Sequence, residues 1–416
     1  MKIIWLSNKL LLGKDCGNTG TWLDSMAHEL TKSNMIQLGN ISTGKVDKIT
    51  RQDCGQVQQW IIPNITKLNN NGLPSEKIIS DIINVIESFS PDLVHVWGTE
   101  NFWGLLTARK CIRRVALLEI QGLKYAIANV FHGGLTAKEQ LSCIGLKEIV
   151  KKSMIWQGRR RFAKWGRFEK EIISQHQYIT VQSRWANAQV KSVNPVCTVL
   201  ENALLLREAF YSALPWHYTG KHQIFCSAAY SSPFKGLHVA IRAVAILKNK
   251  FPQIKLNIAG AHQKKGLRQD GYIAWLNKEI KRLGIDLNVN WIGPLNAPQI
   301  VSELQASSAM VLPSFIENSS NAMQEAMILG VPVVATYTGG LSSTGKDEIS
   351  ALFFPLDDEA MCAHQLDRVI TDQELATRLS EQSRKIAMVR NDRERIVKTQ
   401  FAIYNDILNS SKFYKK

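Results

Sequence analysis

The chain has 416 residues, 45% of them apolar, which is enough for about two or three domains with full cores. No apolar run reaches the ~18–20 residues that a membrane-spanning helix needs, so an integral membrane protein is not expected. The formal charge of +16 is uneven: residues 101–200 hold 17 Lys and Arg against 5 Asp and Glu, a local +12.

In chain order, Ile3-Ile-Trp-Leu reads as a first core strand, and the opening Met1-Lys-Ile-Ile-Trp-Leu-Ser shows no signal-peptide cleavage pattern. Asp15-Cys-Gly-Asn-Thr-Gly20-Thr follows as a glycine-containing loop, then a helix from Thr21 to Leu30. Its glycines let backbone approach a ligand, or form an ordinary tight turn. The spacing is not that of a dinucleotide fingerprint, and no clear ribose-binding acid follows. A helix from Lys77 to Glu87 leads into a strand from Pro91 to Trp97, and strands follow at Val115–Ile120 and Tyr178–Val181. His95-Val-Trp97-Gly-Thr-Glu100 and Gln121-Gly122 place polar and aromatic groups at two strand ends. They either line a binding site or pack under a loop.

The local charge peaks between Lys151 and Phe168, where Arg159, Arg160, Arg161, Lys164 and Arg167 interleave with Trp156, Phe162 and Trp165. Residues 151–170 therefore suit an anionic membrane surface or a polyanion, with a solvated basic helix face as the plain alternative. No nucleic-acid partner is expected.

Periodicity breaks between Asn202 and Lys221, and a second alternation of strands and helices begins at His222. Strands are expected at His222–Ala229, Lys255–Gly260, Val289–Gly293, Ala309–Pro313 and Val331–Thr336, with a helix over Gly236–Lys248. A last helix spans Asp392–Leu408, with Val397, Phe401, Tyr404 and Leu408 on one face. Two α/β halves with parallel sheets imply a cleft between them, with ligands at the carboxyl ends of the strands.

Two constellations in the second half carry chemistry. Glu317 and Glu325 bracket Asn318-Ser319-Ser320-Asn321-Ala322, between a strand and a short helix. A helix start there offers free amides to an anion, and the carboxylates can accept bonds from vicinal hydroxyls. Such a site suits a ligand with a polyol at each end and an anion in the middle, as in a nucleotide-sugar. Tyr230-Ser231-Ser232-Pro-Phe-Lys235-Gly236 lies at another strand end, where Lys235 can balance a pyrophosphate. Seven scattered cysteines (16, 54, 111, 143, 197, 226, 362) with no CxxC, and histidines in no ligand cluster, point to free thiols and no metal.

These residues resemble the large retaining family 4 of GT-B fold glycosyltransferases. The likeness rests on Phe234-Lys-Gly-Leu, Ile258-Ala-Gly260, Trp291-Ile-Gly293, Val311-Leu-Pro-Ser314, the Glu317/Glu325 pair, Val331-Pro-Val-Val-Ala-Thr with Gly339-Gly340, and Ala351-Leu-Phe-Phe-Pro with Asp357. It is looser in the first half, where it rests on the glycine loop, Pro91–His95, Glu169–Ser183 and Asn202. The resemblance implies two Rossmann-like doubly wound domains facing a central cleft: residues 1–205 for the acceptor and 206–390 for the nucleotide-sugar donor. It also implies a C-terminal helix, 391–416, crossing back to the first domain.

It implies that Glu317 contacts the transferred sugar, Glu325 holds the ribose and Lys235 stabilises the leaving diphosphate. Ser319, Ser320, Asn321 and Ala322 would wrap the donor, with Ser231, Ser232 and Gly260 beside it. Gly20, Trp97, Glu100 and Gln121 are placed on the acceptor side. Three departures stand out: Tyr230 where the family often has arginine, a polar Asn-Ser-Ser-Asn loop where glycines are common, and Trp97 and Gln121 where histidines are frequent. The expected protein is cytoplasmic or peripheral on the inner membrane face. It needs no cofactor and acts on a glycan or lipid-linked acceptor in cell-surface polysaccharide synthesis. A nucleotide-sugar epimerase or hydrolase, or a non-catalytic binding protein, are the alternatives.

Overall fold

The computed structural model describes residues 1–12, 21–33, 35–227, 232–260, 266 and 269–413. Gly20, Tyr230 and Ser231, with the glycine loop before Thr21, lie outside the described residues. The chain divides into two compact units. Unit 1 comprises Met1–Tyr125, Lys164–Arg207 and Asn391–Lys416; unit 2 comprises Ala126–Ala163 and Glu208–Arg390. The segment 126–163, which the sequence reading keeps in the first half, thus clusters with the second.

Unit 1 is built on β1 (Lys2–Leu6), β2 (Gln37–Gly44), β3 (Thr50–Arg51), β4 (Gln58–Pro63), β5 (Leu93–Trp97), β6 (Ala116–Glu119), β7 (Tyr178–Val181) and β8 (Thr198–Glu201). They form one sheet in the order β3-β4-β2-β1-β5-β6-β7-β8, parallel except for the β3-β4 pair. All five residues of β5 are buried, as expected of a parallel strand covered on both faces. β1 pairs with β2 on one side and β5 on the other, with Ile3 opposite Leu93. The order therefore reverses between β1 and β5, which makes their carboxyl ends a switch point.

The C-terminal helix, Arg393–Phe413, belongs to this core. It buries Ile396, Ile403, Tyr404 and Ile407 against Trp5, Leu23 and Leu205. Val397, Phe401 and Leu408, expected at the centre of its apolar face, are only partly buried beside it. The face is turned because Gln400, 1% exposed, enters the core and accepts a bond from Asn202 Nδ2 at 3.0 Å. A buried hydrogen-bonded polar group replaces an apolar one in the stripe.

Unit 2 carries β9 (Gln223–Ser227), β10 (Lys255–Ala259), β11 (Val289–Gly293), β12 (Ala309–Leu312), β13 (Val333–Thr336) and β14 (Leu352–Phe354). Their order is β11-β10-β9-β12-β13-β14, all parallel. The chain adds β10 and β11 to one side of β9, then returns to place β12 on the other, with Ile224 opposite Ala309. The second switch point therefore lies between β9 and β12. Among the described residues, no helix is long and apolar enough to cross a membrane.

Candidate functional site

The loops leaving β9 and β12 are held against each other. After β9, Ser232 opens a 3₁₀ turn, Pro233–Lys235, which Gly236 closes at φ 70°. A Cβ on Gly236 would lie 1.9 Å from the Pro313 carbonyl oxygen, so a side chain there would force the two loops apart. The Phe315 amide donates to the Phe234 carbonyl at 2.8 Å. Lys235 and Glu317 emerge from these loops, and Lys235 Nζ donates to Glu317 Oε1 at 2.6 Å. Both side chains remain partly accessible, at 23% and 13%.

The backbone around Glu317 is fixed from the β13 side. Its carbonyl accepts from the Gly340 amide at 2.9 Å, and a Cβ on Gly339 would come within 2.0 Å of that oxygen. Thr338 Oγ1 donates to the Phe315 carbonyl at 2.9 Å. The Gly339-Gly340 pair thus has a local role, admitting the Glu317 loop to close backbone contact.

The helix Asn321–Leu329 starts four residues beyond Glu317. Ser320 caps it, its hydroxyl accepting from the Met323 amide at 3.3 Å. The first-turn amides at Asn321 and Ala322 have no intrahelical acceptor, so they present donors and a positive dipole end at the same switch point. Glu325 lies one turn inside this helix and is 8% exposed. Gly260 ends β10 at φ 97°, its amide donating to the Gly293 carbonyl at 2.7 Å. Ser232, Lys235, Glu317, Ser319, Ser320, Asn321, Ala322, Glu325 and Gly260 therefore all lie at the carboxyl ends of β9, β10 and β12 or on the helix after β12.

Sequence reading missed Gln324 and Arg390. Gln324, 1% exposed, donates from Nε2 to Ser319 Oγ at 3.1 Å and to the Ser320 carbonyl at 3.3 Å. Arg390 donates from Nε to Gln324 Oε1 at 3.3 Å and from a terminal nitrogen to the Ser343 carbonyl at 3.1 Å. The polar loop is thus braced from beneath by a side chain 66 positions away. No local spacing signals such a contact.

Unit 1 has its own polar cluster at the ends of β5 and β6. Glu100 Oε1 accepts from the Gly122 amide at 2.6 Å, and Lys124 Nζ donates to the Glu100 carbonyl. Gly98, at φ 96°, leaves no room for a side chain because a Cβ would sit 2.2 Å from Glu100 Oε2 and 3.4 Å from Gln121 Cγ. Glu169, fully buried, accepts from Thr99 Oγ1 at 3.0 Å and from the Tyr125 amide at 2.8 Å. Burial, with the Glu100 charge adding to it, pushes the Glu169 carboxyl up to about 7. Burial likewise raises Glu100 and lowers Lys124. Trp97 takes the packing role: it is 4% exposed, stacked on His95 at 4.0 Å between centroids, with Trp5 and Trp22 beside it. Glu100, Gln121, Gly122, Lys124 and Tyr125 are partly exposed members of the cluster. Among the described residues, no group of His, Cys, Asp or Glu has the arrangement to hold a metal ion.

Residues 217–386, all within unit 2, match the family model described as Glycosyl transferases group 1. A D-inositol 3-phosphate glycosyltransferase of Corynebacterium urealyticum is 30% identical over 149 residues, 35% of this chain and 34% of the relative. The chain thus matches about a third of the length of such curated relatives. Among solved structures, sucrose-phosphate synthase from Thermosynechococcus elongatus superposes with a TM-score of 0.73 at 16% identity, covering 98% of this chain and 99% of that one. HepE from Anabaena, in complex with UDP-glucose, gives 0.64 at 15% identity over 98% and 99% of the two chains. At these identities the likeness is one of fold, and the fold is GT-B: two Rossmann-like units, each on a parallel sheet.

Proposed function

We propose that this chain is a group 1 glycosyltransferase that moves a sugar from a nucleoside diphosphate donor to a hydroxyl acceptor with retention of configuration. The observation that carries the reading is the Lys235–Glu317 contact of 2.6 Å at the β9/β12 switch point, beside the capped helix that holds Glu325. A cation, a sugar-sized acceptor of hydroxyl bonds and a helix start meet where a nucleotide-sugar needs them. The UDP-glucose complex of the Anabaena neighbour supports the same donor class.

In this reading the bond from C1 of the sugar to the diphosphate oxygen breaks, and charge grows on the diphosphate. Lys235 and the amides at Ser319–Ala322 stabilise that charge, a preorganised electrostatic contribution. Glu317 orients the sugar hydroxyls, and Glu325 takes the ribose hydroxyls. The acceptor oxygen attacks C1 on the face the diphosphate leaves, and its proton passes to a diphosphate oxygen. Acceptor contacts are assigned to Glu100 and Gln121 in unit 1. A lipid-linked or glycan acceptor of a cell-surface polysaccharide, met at an anionic inner membrane face by residues 151–170, fits the basic charge.

The test measures thermal stabilisation by UDP, GDP, ADP and CDP, then diphosphate release from the matching sugar donor with and without acceptor. Selective stabilisation by one diphosphate and acceptor-dependent release support the reading. Release without acceptor points to a hydrolase, and binding without turnover to a non-catalytic protein. No stabilisation by any diphosphate sinks the assignment.

A further inference from the structure

Residues 126–163 of unit 2 carry a surface that the charge pattern alone does not reveal. Leu141, Leu146, Ile149 and Val150 are exposed by 60%, 52%, 55% and 73%, four large apolar side chains within ten residues. Leu146, Ile149 and Val150 occupy positions i, i+3 and i+4 of the short helix Leu146–Val150, so they share one face. The opposite face is tied down. Glu148, 6% exposed, accepts from the Gly145 amide at 3.1 Å, and Lys147 Nζ reaches Asp270 Oδ2 at 2.9 Å. Gly271 admits the Cys143 carbonyl so closely that a Cβ would lie 1.8 Å from its oxygen. The apolar face is therefore presented outward by an anchored turn.

Charge surrounds it with one sign. Residues 149–163 include Lys151, Lys152, Arg159, Arg160 and Arg161 and no acid. All five are exposed. Arg161 donates to the Lys152 carbonyl at 2.8 Å, which brings the arginine run back onto the end of the apolar turn. Protruding aliphatic side chains rimmed by cations match the chemistry of an anionic bilayer surface: acyl boundary for the former, phosphates for the latter.

We propose that Leu146, Ile149 and Val150 insert into an anionic lipid surface while Lys151, Lys152 and Arg159–Arg161 bind its phosphates. This deepens the membrane reading above and rests on it, since charge alone gives a superficial, salt-sensitive contact whereas these side chains add an apolar anchor.

The experiment is co-sedimentation of the full chain with phosphatidylcholine vesicles and with phosphatidylcholine/phosphatidylglycerol vesicles. Three proteins are compared: wild type, Ile149→Asp/Val150→Asp and Arg159→Glu/Arg160→Glu/Arg161→Glu. Both variants change exposed side chains, and an unchanged thermal midpoint with nucleotide stabilisation retained verifies their folds. Wild type is expected to pellet with the anionic vesicles and keep part of that binding at ~0.5 M salt, where charge attraction is largely screened. The aspartate variant is expected to partition roughly tenfold less and lose its salt-resistant fraction. If only the arginine variant loses binding, insertion is overturned and the charge reading stands. If wild type stays with neither vesicle, both fall, while donor stabilisation still reports on the glycosyltransferase reading. A concentration-dependent dimer abolished by the aspartate pair, without pelleting, would assign this face to a second copy instead.

Discussion

Lys235 Nζ and Glu317 Oε1 approach to 2.6 Å although they are 82 residues apart in the chain. The contact exists because β9 and β12 are adjacent at the point where the sheet reverses order. Under the proposed function, a donor entering here would meet a lysine already held by a carboxylate, its position preset before the diphosphate arrives. Lys235→Ala is expected to lower kcat about 10²–10³-fold, the scale seen when one preorganised charge stabiliser is removed. Glu317→Gln should weaken the intact nucleotide-sugar more than the free nucleoside diphosphate. In a double-mutant cycle the two losses should be less than additive, because each single change already breaks the shared contact. Strict additivity in steady-state rates would separate the two residues functionally.

Glu325 gives a cleaner equilibrium readout. A nucleotide present at about one hundred times its dissociation constant stabilises the native state by roughly 2.7 kcal/mol. Glu325→Ala should remove most of that shift at the same concentration, measured relative to the variant's own ligand-free midpoint, since Glu325 is buried. Differential scanning fluorimetry with and without nucleotide decides it. An equal shift in both proteins would take the ribose role from Glu325.

Gly236 tests whether loop geometry, rather than loop charge, positions Lys235. Gly236 and Gly284 both have positive φ, 70° and 65°, but only Gly236 meets backbone, at 1.9 Å from the Pro313 oxygen. Nothing lies within 4 Å of a Cβ on Gly284. Gly284→Ala should cost roughly 1–2 kcal/mol for backbone strain alone. Gly236→Ala should cost more, on the order of 3 kcal/mol, and should lower nucleotide binding as well. Urea midpoints for the two variants supply the comparison.

Legibility in the sequence followed how far each signal depended on near neighbours. The strands of unit 2 could be read because β9, β12 and β13 are short apolar runs with turn residues after them. Lys235, Glu317 and Glu325 drew notice because each follows such a run in a polar stretch, and their roles came from the resemblance to the glycosyltransferase family. β2 and β4 escaped notice because their polar residues are buried in mutual hydrogen bonds. Asn40 donates to Gln59 at 2.9 Å and accepts from Ser7 at 2.9 Å, so the run Gln37–Gly44 lacks the apolar pattern of a core strand. The same cause turned the face of the last helix through Gln400. The Gln324–Arg390 brace under the donor loop depends on tertiary placement alone. The apolar turn at Leu146–Val150 carries no motif, and its exposure is what marks it.

Tyr404 offers a test of the last helix. Its hydroxyl lies 2.8 Å from His95 Nδ1 and accepts from Trp5 Nε1 at 3.1 Å, and all three side chains are fully buried. Tyr404→Phe leaves two buried polar groups without this partner, a cost of about 1–3 kcal/mol each at most. Chemical denaturation should show lowered stability, while the nucleotide-induced shift, which belongs to unit 2, should persist. Loss of nucleotide binding in this variant would contradict the assignment of the donor site to unit 2 alone.

Glu169 and His176 pull stability in opposite directions with pH. Burial holds Glu169 at about 7, above its ordinary 4.5, so between these values the native state keeps a proton that the unfolded chain releases. Stability is then lost as pH rises from about 4.5 to 7, by up to roughly 3 kcal/mol. Burial holds His176 at about 4, below its ordinary 6.5, so the unfolded chain takes up a proton that the native state refuses. That contribution is present above 6.5 and lost as pH falls toward 4. His238, also near 4, acts in the same sense. Glu169→Gln removes only the first effect: the amide oxygen can accept from the Tyr125 amide, and its nitrogen can donate to the Thr99 hydroxyl. Urea midpoints should therefore fall more steeply in the variant than in wild type between pH 6.5 and 4.5. They should fall less than in wild type between pH 6.5 and 7.5. Identical profiles would show that Glu169 titrates in the ordinary carboxylate range.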